Sequence, residues 1–390
     1  QYMLYHILDR QLSYTGGPGG FIMQNYSTKG GLGGEFSSED NLPTTFDRYD
    51  YFETRLPYTM IKVTKPFTNT TPYTRYGAES ATSLGQEIVI NYAQDNGTRC
   101  VVPGMEHHIN VVVEPAGVSQ KRPGLEEFNQ NAQNGIIHTI DRILIYNEEE
   151  MSGNILNERM RWDIMSIFPE LTNNGVRWQL QDQYTLTYIP NGFCKRLESL
   201  NNDTHVYYLR PHATGLGGYV NFQGDELLVI GKYDFQYRIP HVPEGNYELR
   251  FGFSMSDARG IVQMYFDGKI CGIPVNLKNT TENTTFIGWF DEESMSEDEI
   301  KENDKAMRNR GFMKAPASYH VTNDGNSMRE SDLALRKIVG TYRLSKGDHW
   351  LRMKEVTENS TGKLCEFNQD YIEIVPTNII TDQRKPEDIY

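Results

Sequence analysis

The second half of the chain alternates apolar and polar residues with a period of two, the pattern of strands that bury one face. A first segment has its apolar residues at Tyr233, Phe235, Tyr237 and Ile239. After a turn at 243–246 the alternation resumes at Tyr247, Leu249, Phe251 and Phe253. Asp267-Gly268 then gives a two-residue hairpin signal, and further strands follow at Leu351 and at 371–375. Short strands separated by turns predict a mainly β fold, an antiparallel sandwich.

Several phrases of this half occur in the order seen in galactose-binding-like β-sandwiches, the class of many carbohydrate-binding modules. They include Val242-Pro243-Glu244-Gly245-Asn246-Tyr247, Gly347-Asp348-His349-Trp350-Leu351-Arg352 and Asp370-Tyr371-Ile372-Glu373-Ile374. Their combination carries the resemblance, whereas each phrase alone is weak. The resemblance covers residues 176–377. It implies a jelly-roll sandwich with a sugar-binding surface.

A long polar insertion at 276–332 departs from that family pattern. It begins with Trp289 and Phe290 and continues with Ser296-Glu297-Asp298-Glu299, a capping box that predicts a charged helix to about Arg308. A helix that is polar nearly all round needs a docking partner. We therefore interpret the insertion as an interaction element, with the alternative that it packs on its own sandwich.

The first part of the chain carries a second resemblance. Asn134-Gly135-Ile136-Ile137-His138-Thr139-Ile140-Asp141 resembles the closing box of fasciclin domains, and Met3-Leu4-Tyr5-His6-Ile7-Leu8 resembles their Tyr-His motif. We expect His138 to bridge backbone groups in a core, because buried polar groups are normally paired. Strands are predicted at 59–63, 87–91, 109–113 and 135–145.

These motifs predict three units. Residues 1–147 form the C-terminal half of a fasciclin-like domain, whose first half is expected upstream together with a signal segment and lipid anchor. A half-domain would expose apolar edges that another segment or chain covers. Residues 148–175 form a helical linker with a helix at 155–168, and residues 176–390 form the sandwich with its insertion.

Composition excludes some classes of function. The formal charge is −14, from 38 basic and 52 acidic residues, whereas nucleic-acid binding requires a basic surface. No apolar run approaches the about 18 residues of a membrane-spanning helix. The sequence has no nucleophile elbow, metal-binding helix or dinucleotide fingerprint, so we expect a protein that is not an enzyme. The four cysteines, widely spaced, are predicted to be free thiols: Cys100, Cys194, Cys271 and Cys365.

No cofactor is expected except a structural Ca²⁺, which sandwiches of this class often contain. The donors would come from Gln223-Gly224-Asp225-Glu226 and from Asp370. The pair His107-His108 is a weaker metal candidate, because no third ligand is placed by the sequence.

A sugar site needs an aromatic surface beside amides and carboxylates that hydrogen-bond to hydroxyl groups. The candidate ligand-binding residues are Tyr219, Trp289, Phe290, Trp350, Asn368 and Asp370. For Trp350 the alternative is packing beneath the insertion or the linker.

The two resemblances together are typical of surface lipoproteins of Gram-negative gut-type bacteria that accompany TonB-dependent transporters and their substrate-binding lids. They imply a non-catalytic accessory protein at the outer-membrane cell surface, anchored by lipid, that binds glycan or assembles with such an importer. The alternative is an adhesion or matrix protein that makes protein–protein contacts through its fasciclin-like domain.

Overall fold

The computed structural model is mainly β, with antiparallel sheets in a sandwich-like arrangement and few helices, as the alternation predicts. It describes residues 2–12, 48–65, 88–91, 94–95, 98–99, 111–113, 130–132, 135–138, 140, 143–178, 185–210, 225–316, 328–357 and 365–380. The candidates Cys100, His107, His108, Tyr219, Gln223 and Gly224 lie outside these residues.

The described residues of the N-terminal part form a four-stranded antiparallel sheet and two short ribbons. The helix α1 is Tyr2–Tyr5, and the strands are β1 Arg48–Glu53, β2 Met60–Lys65, β3 Ile88–Ile90, β4 Gln94–Asp95, β5 Thr98–Arg99, β6 Val111–Val113, β7 Gln130–Ala132 and β8 Gly135–Ile137. The sheet order is β1-β2-β3-β6, while β4 pairs with β5 and β7 with β8. The first three predicted strands are confirmed to within two residues, whereas the predicted closing strand is confirmed only over β8.

Two histidines join the first residues of the chain to those that follow β8. His138 Nε2 lies 2.7 Å from the backbone oxygen of Leu12, and His6 Nε2 accepts a 3.1 Å hydrogen bond from the amide of Leu144. Burial lowers the pKa of His138, and its hydrogen bond to Leu12 offsets this only in part. His138 thus contacts backbone, as predicted, although it is partly exposed rather than enclosed in a core.

The predicted helix at 155–168 is wrong. The segment contains the short helix α2 Glu148–Glu150, a wide turn at Met151–Ile155 and the strand β9 Met160–Asp163, before helix α3 Pro169–Asn173. β9 pairs antiparallel with the last strand of the sandwich, where Arg161 Nε donates a 2.7 Å hydrogen bond to Glu373. Pairing with a distant strand overrides the helical spacing of apolar residues, so this segment belongs to a sandwich sheet.

The sandwich strands form three antiparallel sheets. Their bounds are β10 Thr185–Ile189, β11 Leu197–Ser199, β12 His205–Arg210, β13 Glu226–Ile230, β14 Asp234–Arg238, β15 Gly245–Ser254, β16 Ile261–Phe266, β17 Lys269–Ile270, β18 Val275–Asn276, β19 Phe312–Lys314, β20 Ala334–Leu344, β21 Trp350–Glu355, β22 Glu366–Gln369 and β23 Tyr371–Pro376. Sheet A is β10-β12-β13-β22, sheet B is β11-β14-β21-β16-β17 with β18 beside β16, and sheet C is β19-β20-β15-β23-β9.

One hydrophobic core joins the three sheets. The ring of Phe367 in sheet A lies 5.5 Å from that of Phe235 in sheet B and 6.0 Å from that of Phe251 in sheet C. The hairpin β1–β2 adds Tyr51 to the same core, and Trp162 Nε1 donates a 3.1 Å hydrogen bond to the Tyr51 carbonyl. The N-terminal hairpin and the sandwich therefore share a packed interface.

The predicted hairpin turn is confirmed between β16 and β17. Asp267 and Gly268 both have positive φ, 49° and 75°, which a two-residue turn of this kind requires. Aspartate is one of the few residues besides glycine that adopt this region. Here Asp267 Oδ1 accepts from the amide of Trp350 at 2.9 Å, so the turn is tied to the start of β21.

The insertion is built into the sandwich. Its helices are α4 Thr281–Ile287 and α5 Glu297–Asn309, and the predicted capping box at Ser296 and Glu299 is confirmed. After α5, β19 pairs with β20 and so extends sheet C. Ile287 and Met307 are fully buried in the main core.

The structure also bears on two features considered from the sequence, membrane-spanning helices and cysteines. Among the described residues no helix is long and apolar enough to cross a membrane. Among the described cysteines, Cys194, Cys271 and Cys365 are not joined in disulfides, as predicted.

Candidate functional site

The two aromatic residues of the insertion face different surroundings. Trp289 is half-buried against the core, and Lys314 Nζ lies 4.9 Å from the centroid of its ring. Phe290 is 57% exposed, and its carbonyl accepts a hydrogen bond from Lys314 Nζ. Lys314 therefore contacts both aromatic residues and holds the Trp289-Phe290 segment in place.

Trp350 lies on sheet B. In β21 the side chains of Leu351 and Met353 are fully buried in the core, so Trp350 and Arg352 point to the outer face. Trp350 is the register partner of Arg238 on β14 and is half-buried. Trp350 therefore lies on a different sheet from Asn368, which is on β22 of sheet A.

Asn368 and Asp370 are buried. Asn368 Nδ2 donates to Glu226 Oε2 at 2.6 Å, and Asn368 Oδ1 accepts from Ser254 Oγ at 3.1 Å. Asp370, between β22 and β23, has no exposed surface. The predicted site residues that the structure describes are thus spread over two sheets and the insertion and do not form one site.

Asp225, one of the proposed calcium donors, is hydrogen-bonded to an arginine instead. Asp225 accepts hydrogen bonds from Arg177 Nε and Nη2 at 2.7 and 2.8 Å, and Arg177 Nη2 is 3.4 Å from Asp163. Burial raises the pKa of Asp163 well above its usual range, and Asp225 raises it further although Arg177 opposes them. Within the described ranges, no group of three or more His, Cys, Asp or Glu side chains has an arrangement that could hold a metal ion.

An exposed aromatic surface instead lies on sheet A. In β10, a strand at the edge of the described sheet, Ile189 is buried, so Leu186 and Tyr188 point outward and are 42% and 50% exposed. Successive side chains of a strand alternate between its faces, which gives these two residues the same outer face. Large exposed apolar groups side by side are candidates for a contact surface.

The next strand completes this surface. Tyr207 of β12 is the register partner of Tyr188, and their rings form a T-shaped pair at 5.5 Å and 61°. The His205 ring lies 6.4 Å from that of Tyr188. We call Leu186, Tyr188, His205 and Tyr207 the tyrosine platform. Its two tyrosine rings form the walls of a shallow corner, with imidazole and hydroxyl groups at the edge.

A polar end lies on the same face of sheet A. His205 is the register partner of Ile230 on β13, and Ile230 is the partner of Glu366 on β22. Two strand spacings separate His205 from Glu366, about 10 Å. The Glu366 side chain is 31% exposed and forms a 2.5 Å ion pair with Arg259. Glu366 and Arg259 are called the polar end below.

Sequence reasoning missed this surface. Thr185–Ile189 and His205–Arg210 each contain outward tyrosines, and their alternation is visible in the sequence. The register that sets Tyr188 opposite Tyr207 depends on the pairing of strands 19 positions apart. That pairing depends on the tertiary fold. The sequence alone shows only that an aromatic residue stands at a position of the alternating segment that would face solvent.

A depression lies between the β1–β2 hairpin and the sandwich, where Tyr58 and His241 are among the lining residues. Tyr58, at a positive φ of 60°, has its ring 5.0 Å from that of His241. His241 lies 2.8 Å from Asp348 and 3.2 Å from Glu53 through its two ring nitrogens. Because both nitrogens contact carboxylates of the protein, this depression has the character of an interface between two parts of the chain.

No family model matches the chain, and no curated protein matches it. The chain has distant structural similarity to carbohydrate-binding and glycoside-hydrolase β-sandwich proteins. A family 35 carbohydrate-binding module from Clostridium thermocellum is 8% identical, with a TM-score of 0.22, over 49% of this chain and 98% of the module.

Two larger proteins are similar at the same distance. A Paenibacillus xanthan lyase is 14% identical, with a TM-score of 0.22, and the match covers 50% of this chain but only 12% of the lyase. A calcium-binding mutant of Bacteroides uniformis beta-glucuronidase 2 is 10% identical, with a TM-score of 0.24, over 90% of this chain and 29% of the enzyme. At such identities the roles of residues do not transfer to this chain.

Proposed function

We propose that this protein is a non-catalytic glycan-binding protein and that the tyrosine platform is its binding surface. The observation that carries the proposal is the half-exposed ring of Tyr188, paired with Tyr207 on the outer face of sheet A. No other side chain of β10 or β12 offers an aromatic face of this size to solvent within the described residues.

The chemistry of sugars fits such a surface. The C–H-rich face of a pyranose is apolar and stacks on an aromatic ring, while its hydroxyl groups need donors and acceptors at the rim. Tyr188 and Tyr207 supply two rings at an angle, so one can lie beneath a sugar while the other borders it. The hydroxyl groups of both tyrosines and the His205 imidazole provide the rim groups.

The polar end supports binding rather than hydrolysis. A glycosidase needs two carboxyl groups on opposite sides of the scissile bond. Of the two carboxyl groups that sheet A's outer face contributes among the described residues, Glu366 is paired with Arg259 and Glu226 is buried and hydrogen-bonded to Asn368. Both carboxyl groups are thus engaged within the protein, and they do not form a pair that could flank a scissile glycosidic bond.

The test is affinity electrophoresis of the full chain through gels that contain plant, host or microbial polysaccharides. Retardation by at least one glycan is expected, and Tyr188→Ala should weaken it by about 0.5–1.5 kcal/mol, the range for an aromatic contact. Phe286→Ala is the matched control, because Phe286 on α4 is a similarly exposed aromatic residue, 57% against 50% for Tyr188. Absence of retardation on every glycan would overturn the proposal.

A second part of the proposal concerns protein partners. The N-terminal part exposes large aliphatic side chains, and the bond between His6 and Leu144 sets the two segments that carry them side by side. They are Met3, Leu4, Ile7, Ile137, Ile143 and Ile145. Exposed aliphatic groups at this density favour a contact surface.

We propose that this surface binds a TonB-dependent importer at the bacterial outer membrane. A lipid anchor would attach the protein itself to the same membrane. Copurification with importer subunits tests this, and Ile143→Ser should reduce it while leaving glycan retention unchanged. Adhesion to matrix or host proteins is the second candidate, favoured by the same aliphatic surface. Binding to such proteins without importer copurification would select it.

A further inference from the structure

The charges on the outer face of sheet A define which glycans the platform can accept, an inference that rests on the proposed function. The polar end has one carboxylate, Glu366, and one guanidinium, Arg259. Arg259 Nη1 contacts Glu366 at 2.5 Å, while its Nε and Nη2 donate to Ser254 O and Ser254 Oγ, both at 3.2 Å. Every nitrogen of Arg259 is therefore engaged within the protein.

Glu366 retains capacity to accept hydrogen bonds. A carboxylate has about four lone-pair positions, and the contact with Arg259 uses one oxygen. The side chain is 31% exposed toward the face that carries the platform, whereas the Arg259 side chain is only 10% exposed. A ligand that extends from Tyr188 past Ile230 thus meets an acceptor with negative charge before it meets the cation.

The surroundings do not reverse this sign. Glu226 lies on the same face but is buried, and as a carboxyl group it adds no positive charge in either protonation state. After Ile230, the backbone oxygen of Asp203 approaches Gly231, and the two charged residues of this region, Lys232 and Asp203, are both exposed and opposite in sign. This region adds no net charge, and the whole chain has a formal charge of −14.

We propose that the platform binds neutral oligosaccharides and discriminates against uronate-containing ones, and that Glu366 determines this specificity. A neutral glycan lies across the strands, stacks on Tyr188 and donates hydroxyl hydrogens to Glu366. A uronate at the same position brings a second carboxylate toward Glu366. Like charges repel. Arg259 is poorly placed to compensate, because its side chain is only 10% exposed and each of its three nitrogens already donates within the protein.

The experiment compares matched pairs of polymers with the full chain: galactan with polygalacturonate, glucan with polyglucuronate, and mannan with polymannuronate. Glu366→Gln keeps the shape and one acceptor of Glu366 but removes its charge. Glu198→Gln on sheet B changes the net charge equally at an exposed site away from the platform. Each protein is measured at low and at high salt.

We expect retention on at least one neutral polymer and measurably weaker retention on its uronate partner. Glu366→Gln should raise uronate binding roughly two- to fivefold at low salt, the scale of one exposed charge pair. The gain should shrink at high salt, because exposed charges are then screened, and Glu198→Gln should show no gain.

Two results would overturn the inference, and they differ. If wild-type protein binds a uronate polymer as well as its neutral partner, or if Glu366→Gln gains nothing over Glu198→Gln, specificity is not set by Glu366 while glycan binding stands. If neither member of any pair is retained, the proposed function fails together with this inference.

Discussion

The guanidinium of Arg177 donates two hydrogen bonds to the carboxylate of Asp225, at 2.7 and 2.8 Å, in a site where both side chains are almost fully buried. The same guanidinium is 3.4 Å from Asp163. A protein cation thus sits at the position where the sequence suggested a calcium ion. Charge compensation by arginine needs no metal, provided that its donors are matched by acceptors.

The first prediction is that EDTA leaves the melting temperature unchanged, whereas Arg177→Met lowers stability by about 3–5 kcal/mol because buried carboxylates lose their partner. Differential scanning calorimetry measures both. Arg343→Met is the control, since Arg343 forms an exposed pair with Glu244. A melting temperature that falls with EDTA and recovers with Ca²⁺ would restore the calcium hypothesis.

How far the sequence predicts this molecule depends on the range of the interactions. The turn at Asp267-Gly268 and the capping box at Ser296 are local and were predicted correctly. The strand β9 was not, because Met160–Asp163 becomes a strand only by pairing with β23, more than 200 positions away.

The candidate site shows the same limit. The sequence identified Trp289 and Asn368 as candidates by residue type and position. Whether each side chain is available to a ligand depends on tertiary contacts, of Trp289 with Lys314 and of Asn368 with Glu226. Register alone brought Tyr188 opposite Tyr207. Aromatic residues on strands are more often core than surface, so their exposure could not be read from the sequence.

The second prediction concerns Glu53, which joins the β1–β2 hairpin to the sandwich. Its carboxylate contacts Arg238 at 2.8 Å, Arg196 at 3.0 Å and His241 at 3.2 Å. Burial alone would raise the pKa of Glu53, but the hydrogen bond with His241 and the charges of both arginines outweigh it and lower the pKa below its usual range.

A lowered pKa in the folded state means that Glu53 stabilises the fold above its unfolded pKa and loses this contribution as the pH falls. Glu53→Gln should therefore destabilise by about 3 kcal/mol at pH 7, and the difference from wild type should shrink toward pH 3. Chemical denaturation at the two pH values measures this. A difference that is independent of pH would contradict the ionic role, and Glu198→Gln serves as the exposed control.

The third prediction has the opposite sign and concerns Glu226. The pKa of Glu226 is raised to about 7, chiefly by burial and also by Asp225, although Asn368 and Arg259 oppose the rise. The folded state thus favours the protonated form. Stability from this group is fully present below the ordinary pKa of 4.5 and is lost as the pH rises through about 7.

Glu226→Gln should therefore be close to wild type at pH 4 and more stable than wild type at pH 8, by at most on the order of 3 kcal/mol. Glutamine keeps the acceptor that Asn368 uses, so the hydrogen bond need not be lost. Melting curves between pH 4 and 8 give the comparison. A variant that is less stable than wild type at pH 8 would show that the ionised carboxylate is required there.

The fourth prediction concerns the insertion, for which the sequence suggested a separable interaction element. Met307 of α5 and Ile287 of α4 are fully buried in the main core, and Phe312 of β19 is 2% exposed. Deleting residues 285–330 would remove these core side chains and an edge strand of sheet C. We therefore expect the deletion variant to unfold rather than to lose only partner binding.

Point substitutions separate packing from surface roles. Met307→Ala should destabilise by about 2–5 kcal/mol, the range for removing a buried aliphatic side chain. Phe290→Ala should stay within about 0.5 kcal/mol of wild type, because that ring is exposed. Urea denaturation measures both variants. If Met307→Ala were neutral and the deletion variant folded cooperatively, the insertion would be separable after all, and its aromatic residues would again be candidates for partner binding.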